Sequence, residues 1–102
     1  MPVVLLSYEY VDDILDRRKL HREAHLAHIE RSAAEGSLVV AGAVGEPPRG
    51  AVFVFEDDSD AVAAAEEFAA GDPYVAAGLV SGRRIEPWTV VSNAWVSRSD
   101  GR

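Results

Sequence analysis

Five consecutive apolar residues, Ala51-Val52-Phe53-Val54-Phe55, restrict what this chain can fold into more than any other feature. A strand with one wet face alternates apolar and polar side chains. A run that is apolar at every position belongs to a sheet covered on both sides. The Gly45-Glu-Pro-Pro-Arg-Gly50 turn precedes this run, and before the turn comes a second extended stretch, Ser37-Leu-Val-Val-Ala-Gly42. The two predict a hairpin with a loop of moderate length.

The flanking segments complete the pattern. Residues 2–8 are β-branched and aliphatic and predict a strand. Asp12 or Asp13 offers an N-cap, and Ile14 to Glu35 contains neither Gly nor Pro, which predicts one long helix stopped by Gly36. Ser59 is the expected cap of a second helix reaching Ala70 and ended by Gly71. A last extended segment is expected from about Arg83 to Val91, with Pro87 marking it as an edge or a bulge. The order β-α-β-β-α-β is the α+β, ferredoxin-like arrangement, an antiparallel sheet with both helices on one face. Its other face needs a cover, and a second copy of the chain can supply one. A homodimer, a dimeric α+β barrel, is therefore expected. Sixteen of the residues are alanine, which thins the core of a lone subunit and points the same way. Residues 1–92 form the expected domain and residues 93–102 a tail.

At 102 residues with 48% hydrophobic composition, one globular domain is expected and wholesale disorder is excluded. The formal net charge of -7 opposes a nucleic-acid binder, which needs a clustered basic footprint. The absence of cysteine removes disulfides, thiolate nucleophiles and Cys-based zinc sites. The run Val3-Val4-Leu5-Leu6 is short for a signal segment and leads into Asp12-Asp13, and no stretch is long enough to span a bilayer. A cytoplasmic location, with no membrane partner, is the expectation.

Chemistry is concentrated in two places. At about 100° per residue, Ile14, Leu15, Leu26, Ile29 and Ala33 share one arc of the first helix, and Arg18, Arg22 and His25 fall inside it. Basic groups in an apolar stripe are costly without partners. Either the arginines snorkel past the stripe and His25 is a satisfied core histidine, or the three line a pocket in which the arginines bind an anion and His25 exchanges a proton. His21 and His25 have metal-ligand spacing, but no third ligand is evident and His-Arg-Glu-Ala-His is not a zincin motif, so no metal is expected. The second place is Asp72-Pro73-Tyr74-Val75-Ala76-Ala77-Gly78, where Asp72 caps a short helix with proline at its first position. A capping carboxylate can also orient an imidazole. Ser7 and Tyr8, ending the first strand, are either ordinary edge residues or hydroxyls lining the same cavity. No Gly-rich phosphate loop or other cofactor motif is present.

Arg18-x3-Arg22-x2-His25-Leu26, the Asp72–Gly78 segment, Pro87-Trp88, and Gly36-x3-Val40-Ala41-Gly42 between them resemble, in this order, the YciI-like (YCII-related) family over roughly residues 3–90. The resemblance implies a dimeric α+β barrel and a His–Asp pair that falls on His25 and Asp72. It also implies a choice of activities: one branch is a dehydrochlorinase of chlorinated hydroxyquinols, and the wider superfamily includes muconolactone isomerases and small monooxygenases. Two functions are compatible with this sequence. One is a cofactor-independent lyase or isomerase acting on an oxygenated small molecule, in which His25 and Asp72 move the proton and Arg18, Arg22, Ser7 and Tyr8 bind substrate. The other is a non-catalytic dimeric module for a small anionic ligand or a partner protein.

Overall fold

The computed structural model describes residues 2–93, and the expected tail lies almost wholly outside the described residues. The elements run β1 (Val3–Tyr10), α1 (Ile14–Arg17), a single 3-10 turn (Arg18–Leu20), α2 (Arg22–Glu35), β2 (Leu38–Val44), β3 (Gly50–Glu56), α3 (Ala61–Gly71), α4 (Pro73–Ala76) and β4 (Val80–Pro87). The four strands form one antiparallel sheet in the order β2-β3-β1-β4. This is the ferredoxin-like α+β fold expected from the element order.

Register decides which side chains meet the helices. Leu6 lies opposite Phe53, Val4 opposite Phe55 and Tyr8 opposite Ala51. These six residues are buried, and with Leu38 and the α3 residues Ala61, Ala65, Phe68 and Ala69 they make the main core. Alternation along each strand sends Val3, Leu5, Val52 and Val54 to the opposite, helix-free face. There they are half-buried. The run that opened the sequence argument thus fills the core with Ala51, Phe53 and Phe55 and offers Val52 and Val54 to the outside.

Three local expectations are corrected. The long first helix is broken: His21, at φ -121° and ψ -7°, leaves the helical basin between the 3-10 turn and α2. Leu15, before the break, and Leu26 and Ala33, after it, all lie at one edge of the expected arc and are exposed, the two leucines by 44% and 42%, so the buried face is centred closer to Ile14. The inward stripe of α2 is instead His25, His28, Ile29 and Ser32. Second, Ser59 is not the helix cap. Asp60 accepts from the Ala63 N–H at 2.9 Å, whereas the Ser59 hydroxyl donates to Asp57 at 2.8 Å. Third, β4 begins at Val80 and stops at Pro87, opposite Val4, and Trp88 N–H then bonds to the Val3 carbonyl at 2.9 Å. Gly36 does close α2, at φ 99°. No described helix is long and apolar enough to cross a membrane.

Candidate active site

The site grows from the end of α3. That helix finishes at Gly71, and Asp72 turns the chain at φ -76° and ψ 122° into α4, with Pro73 at the first helical position. Asp72 Oδ1 accepts the Tyr74 N–H at 3.0 Å, which is the capping bond. The side chain is fully buried, so its second oxygen and remaining lone pairs require partners from elsewhere in the fold.

Two elements provide them. His25 Nδ1 lies 2.7 Å from Asp72 Oδ1, and the Tyr8 hydroxyl donates to Asp72 Oδ2 at 2.7 Å. An ionised carboxylate only accepts, so Nδ1 carries the hydrogen and Nε2 is the position left to exchange a proton. Burial pushes the Asp72 carboxyl up, but the hydrogen bonds from His25, Tyr8 and the Tyr74 N–H outweigh it and hold the group below the ordinary carboxylate value. Burial, reinforced by the Asp72 charge and hydrogen bond, raises the Tyr8 phenol well above its ordinary value, so it remains a donor.

Aromatic rings fix the imidazole. His25 is 5% exposed and lies flat on Tyr74, with ring centroids 3.7 Å apart and an interplanar angle of 5°. Phe53 meets it edge-on at 6.4 Å. One turn along α2, the His28 ring lies against Phe68 at 4.5 Å, tilted by 30°, and its Nε2 meets the Phe68 carbonyl at 2.8 Å. That bond ties α2 to the last turn of α3, the turn that presents Asp72. Helical period places His28 just beyond Ile14, outside the arc that Ile14, Ile29 and Leu26 define, and the face that is buried is centred on the Ile14 side and takes it in.

His25, Asp72 and Tyr8 therefore come together from α2, the α3–α4 junction and β1. Ser7 does not join them. It neighbours Tyr8 on a strand and points to the opposite face, where with Glu9, Val52 and Arg84 it lines an open groove of about 350 Å³. Arg18 is half-buried in the 3-10 turn and Arg22 is exposed at the start of α2. Their charges act on Tyr10, whose phenol burial, Tyr74 and Asp72 push up to about 12 against the arginines' opposing pull. Neither arginine has an ion-pair partner among the described residues, although neighbouring Arg17 and Lys19 pair with Asp13 and Asp16. No group of three metal-ligating side chains stands together among the described residues.

Two residues beside this centre were missed by the sequence reading. Tyr10 follows Tyr8 by two positions on β1, so both rings take the helix face, with centroids 6.5 Å apart. That alternation was the available signal. Tyr74 was visible only as part of the capping segment, and its hydroxyl is buried without a hydrogen-bond partner.

Comparison with known proteins fits this fold. The model of the YCII-related domain matches residues 1–89, and the chain belongs to that family. The 5-chloro-2-hydroxyhydroquinone dehydrochlorinase of Burkholderia phenoliruptrix, solved with 2,5-dihydroxybenzoquinone, superposes with a TM-score of 0.69 at 23% identity, covering 85% of this chain and 93% of that one. A NIPSNAP family protein of Agrobacterium tumefaciens gives 0.59 at 17% identity, over 89% and 93% of the two chains. An antibiotic biosynthesis monooxygenase gives 0.59 at 13% identity, over 90% and 100%. These likenesses establish the shared fold. No curated protein matches.

Proposed function

We propose that this protein is a small lyase or isomerase that transfers a proton on an oxygenated small molecule, with His25 as the proton carrier and Asp72 as its orienting partner. The buried 2.7 Å contact between His25 Nδ1 and Asp72 Oδ1 carries the reading. A carboxylate on Nδ1 fixes the tautomer that leaves the Nε2 lone pair free, and it stabilises the imidazolium formed when Nε2 takes a proton. Tyr8, donating to the second carboxylate oxygen, keeps Asp72 ionised and in place. In an isomerisation, Nε2 takes a proton from one substrate atom and returns it to another. In an elimination, it keeps the proton while the leaving group departs with its bonding pair. Arg18 and Arg22 would offset negative charge that develops on substrate oxygen. The name of the Burkholderia neighbour supports a hydroxylated, quinone-related ring as a first substrate class to try.

The second part of the proposal is a homodimer formed through the helix-free face. Val3, Leu5, Val52 and Val54 are half-buried there in a lone subunit, and a face-to-face partner would bury them fully. The catalytic reading is tested by a thermal-shift screen of small metabolites against wild type and His25→Ala, with each hit followed for turnover. Conversion by wild type and none by the variant is the expected result. Ligands that bind tightly yet are never converted would remove the enzyme and leave a binding module.

A further inference from the structure

The Tyr74 hydroxyl is the one buried side-chain polar atom without a hydrogen-bond partner among the described residues. Tyr74 itself is only 2% exposed. A buried orphan hydroxyl is destabilising, and phenylalanine would pack the same ring on His25, Ile14 and Leu79 without that cost. A group retained at such a position calls for a partner that comes and goes.

Its surroundings describe that partner. The Tyr10 ring stands edge-on to Tyr74, with centroids 6.0 Å apart and an interplanar angle of 76°, and Tyr10 makes no side-chain hydrogen bond among the described residues. Arg18 and Arg22, both close enough to act on the Tyr10 phenol, are without ion-pair partners in the same set. Two uncommitted phenols and two uncommitted guanidinium groups, beside the stacked rings of His25 and Tyr74, suit a flat anion with more than one oxygen. We propose that the Tyr74 and Tyr10 hydroxyls form a donor subsite for an oxygen of a planar, dioxygenated ring anion, whose charge Arg18 and Arg22 balance. The subsite belongs to the His25 centre and rests on reading that centre as a small-molecule site. Tyr74 would thereby serve twice, its ring holding the imidazole plane and its hydroxyl selecting the ligand.

The test uses 2,5-dihydroxybenzoquinone as the probe, titrated calorimetrically into wild type, Tyr74→Phe and Tyr10→Phe, with inorganic phosphate as a competitor. Urea midpoints are measured on the same preparations. Wild type should bind the probe. Tyr74→Phe should bind it about tenfold more weakly, the worth of one hydrogen bond, with a urea midpoint equal to or above that of wild type. Tyr10→Phe should weaken binding in the same direction. Unchanged affinity in Tyr74→Phe overturns the subsite, and so does a lowered midpoint, which would show that the hydroxyl has a partner in the free protein. No binding of the probe by wild type, or equally strong binding of phosphate, overturns the planar ligand class. Turnover of 5-chloro-2-hydroxyhydroquinone separates the two proposals. Tyr74-dependent binding without His25-dependent turnover removes the enzyme and keeps the subsite; His25-dependent turnover with an unchanged KM in Tyr74→Phe does the reverse.

Discussion

Replacing Asp72 by alanine should cost about 4 kcal/mol, whereas replacing it by asparagine should cost about 1 kcal/mol. In the alanine variant the His25 Nδ1–H and the Tyr8 hydroxyl both lose a buried acceptor, at about 1–3 kcal/mol each, and the Tyr74 N–H loses its cap, at about 1 kcal/mol. Relief of the carboxylate's own desolvation works in the opposite direction, which keeps the sum near the middle of the range of about 3–5 kcal/mol for breaking a buried pair. Asparagine retains an oxygen for His25 and Tyr74. Its amide faces Tyr8, whose hydroxyl needs only to rotate from donor to acceptor. Urea unfolding followed by circular dichroism, at one fixed protein concentration because the proposed dimer would make apparent stability concentration-dependent, measures both variants. With a slope of about 1.5 kcal/mol/M, the alanine variant should unfold roughly 2.5 M earlier than wild type. The acid limb offers a second check. Asp72 titrates below its unfolded value of about 3.9, so its stabilisation is complete above that pH and is lost as pH falls through the folded value. The gap between wild type and Asp72→Asn should accordingly close in acid. A loss below about 1.5 kcal/mol in Asp72→Ala, or equal losses in the two variants, would refute the idea that buried acceptor chemistry at Asp72 holds the site together.

Sedimentation equilibrium at micromolar concentration should give about twice the 11.0 kDa chain mass; a folded monomer would sink the face-to-face sheet arrangement. Stability should fall above pH 10, because the unfolded chain releases phenolic protons that the folded one retains; Tyr10, pushed up to about 12, contributes a slope of about 1.4 kcal/mol per pH unit, visible as a flatter alkaline limb in Tyr10→Phe. Gly50→Ala should be strongly destabilising in thermal melts, since a Cβ there collides with the Tyr8 carbonyl oxygen on the adjacent strand; a melting temperature within about 2 °C of wild type would contradict the β1–β3 register.

Local rules govern what could be read directly from this chain. The β-α-β-β-α-β order follows from apolar runs and their Gly and Pro punctuation. The closure of α2 at Gly36 and the cap at Asp72-Pro73 follow from backbone chemistry that involves a few adjacent residues. Helical period put His25 on the buried arc, and its pairing with Asp72 was what the family resemblance implied. Tertiary structure decided the rest. The break at His21 has no Gly or Pro to announce it, and packing against the sheet, not the count of apolar residues, decides that His28 lies inward and Leu26 outward. Register along β1 sends Ser7 to the open face and keeps Tyr8 and Tyr10 beneath the helices. The Tyr8–Asp72 and His25–Asp72 bonds join residues 64 and 47 positions apart. Separations of that size are set by how sheet and helices pack, and no local pattern in the chain encodes them.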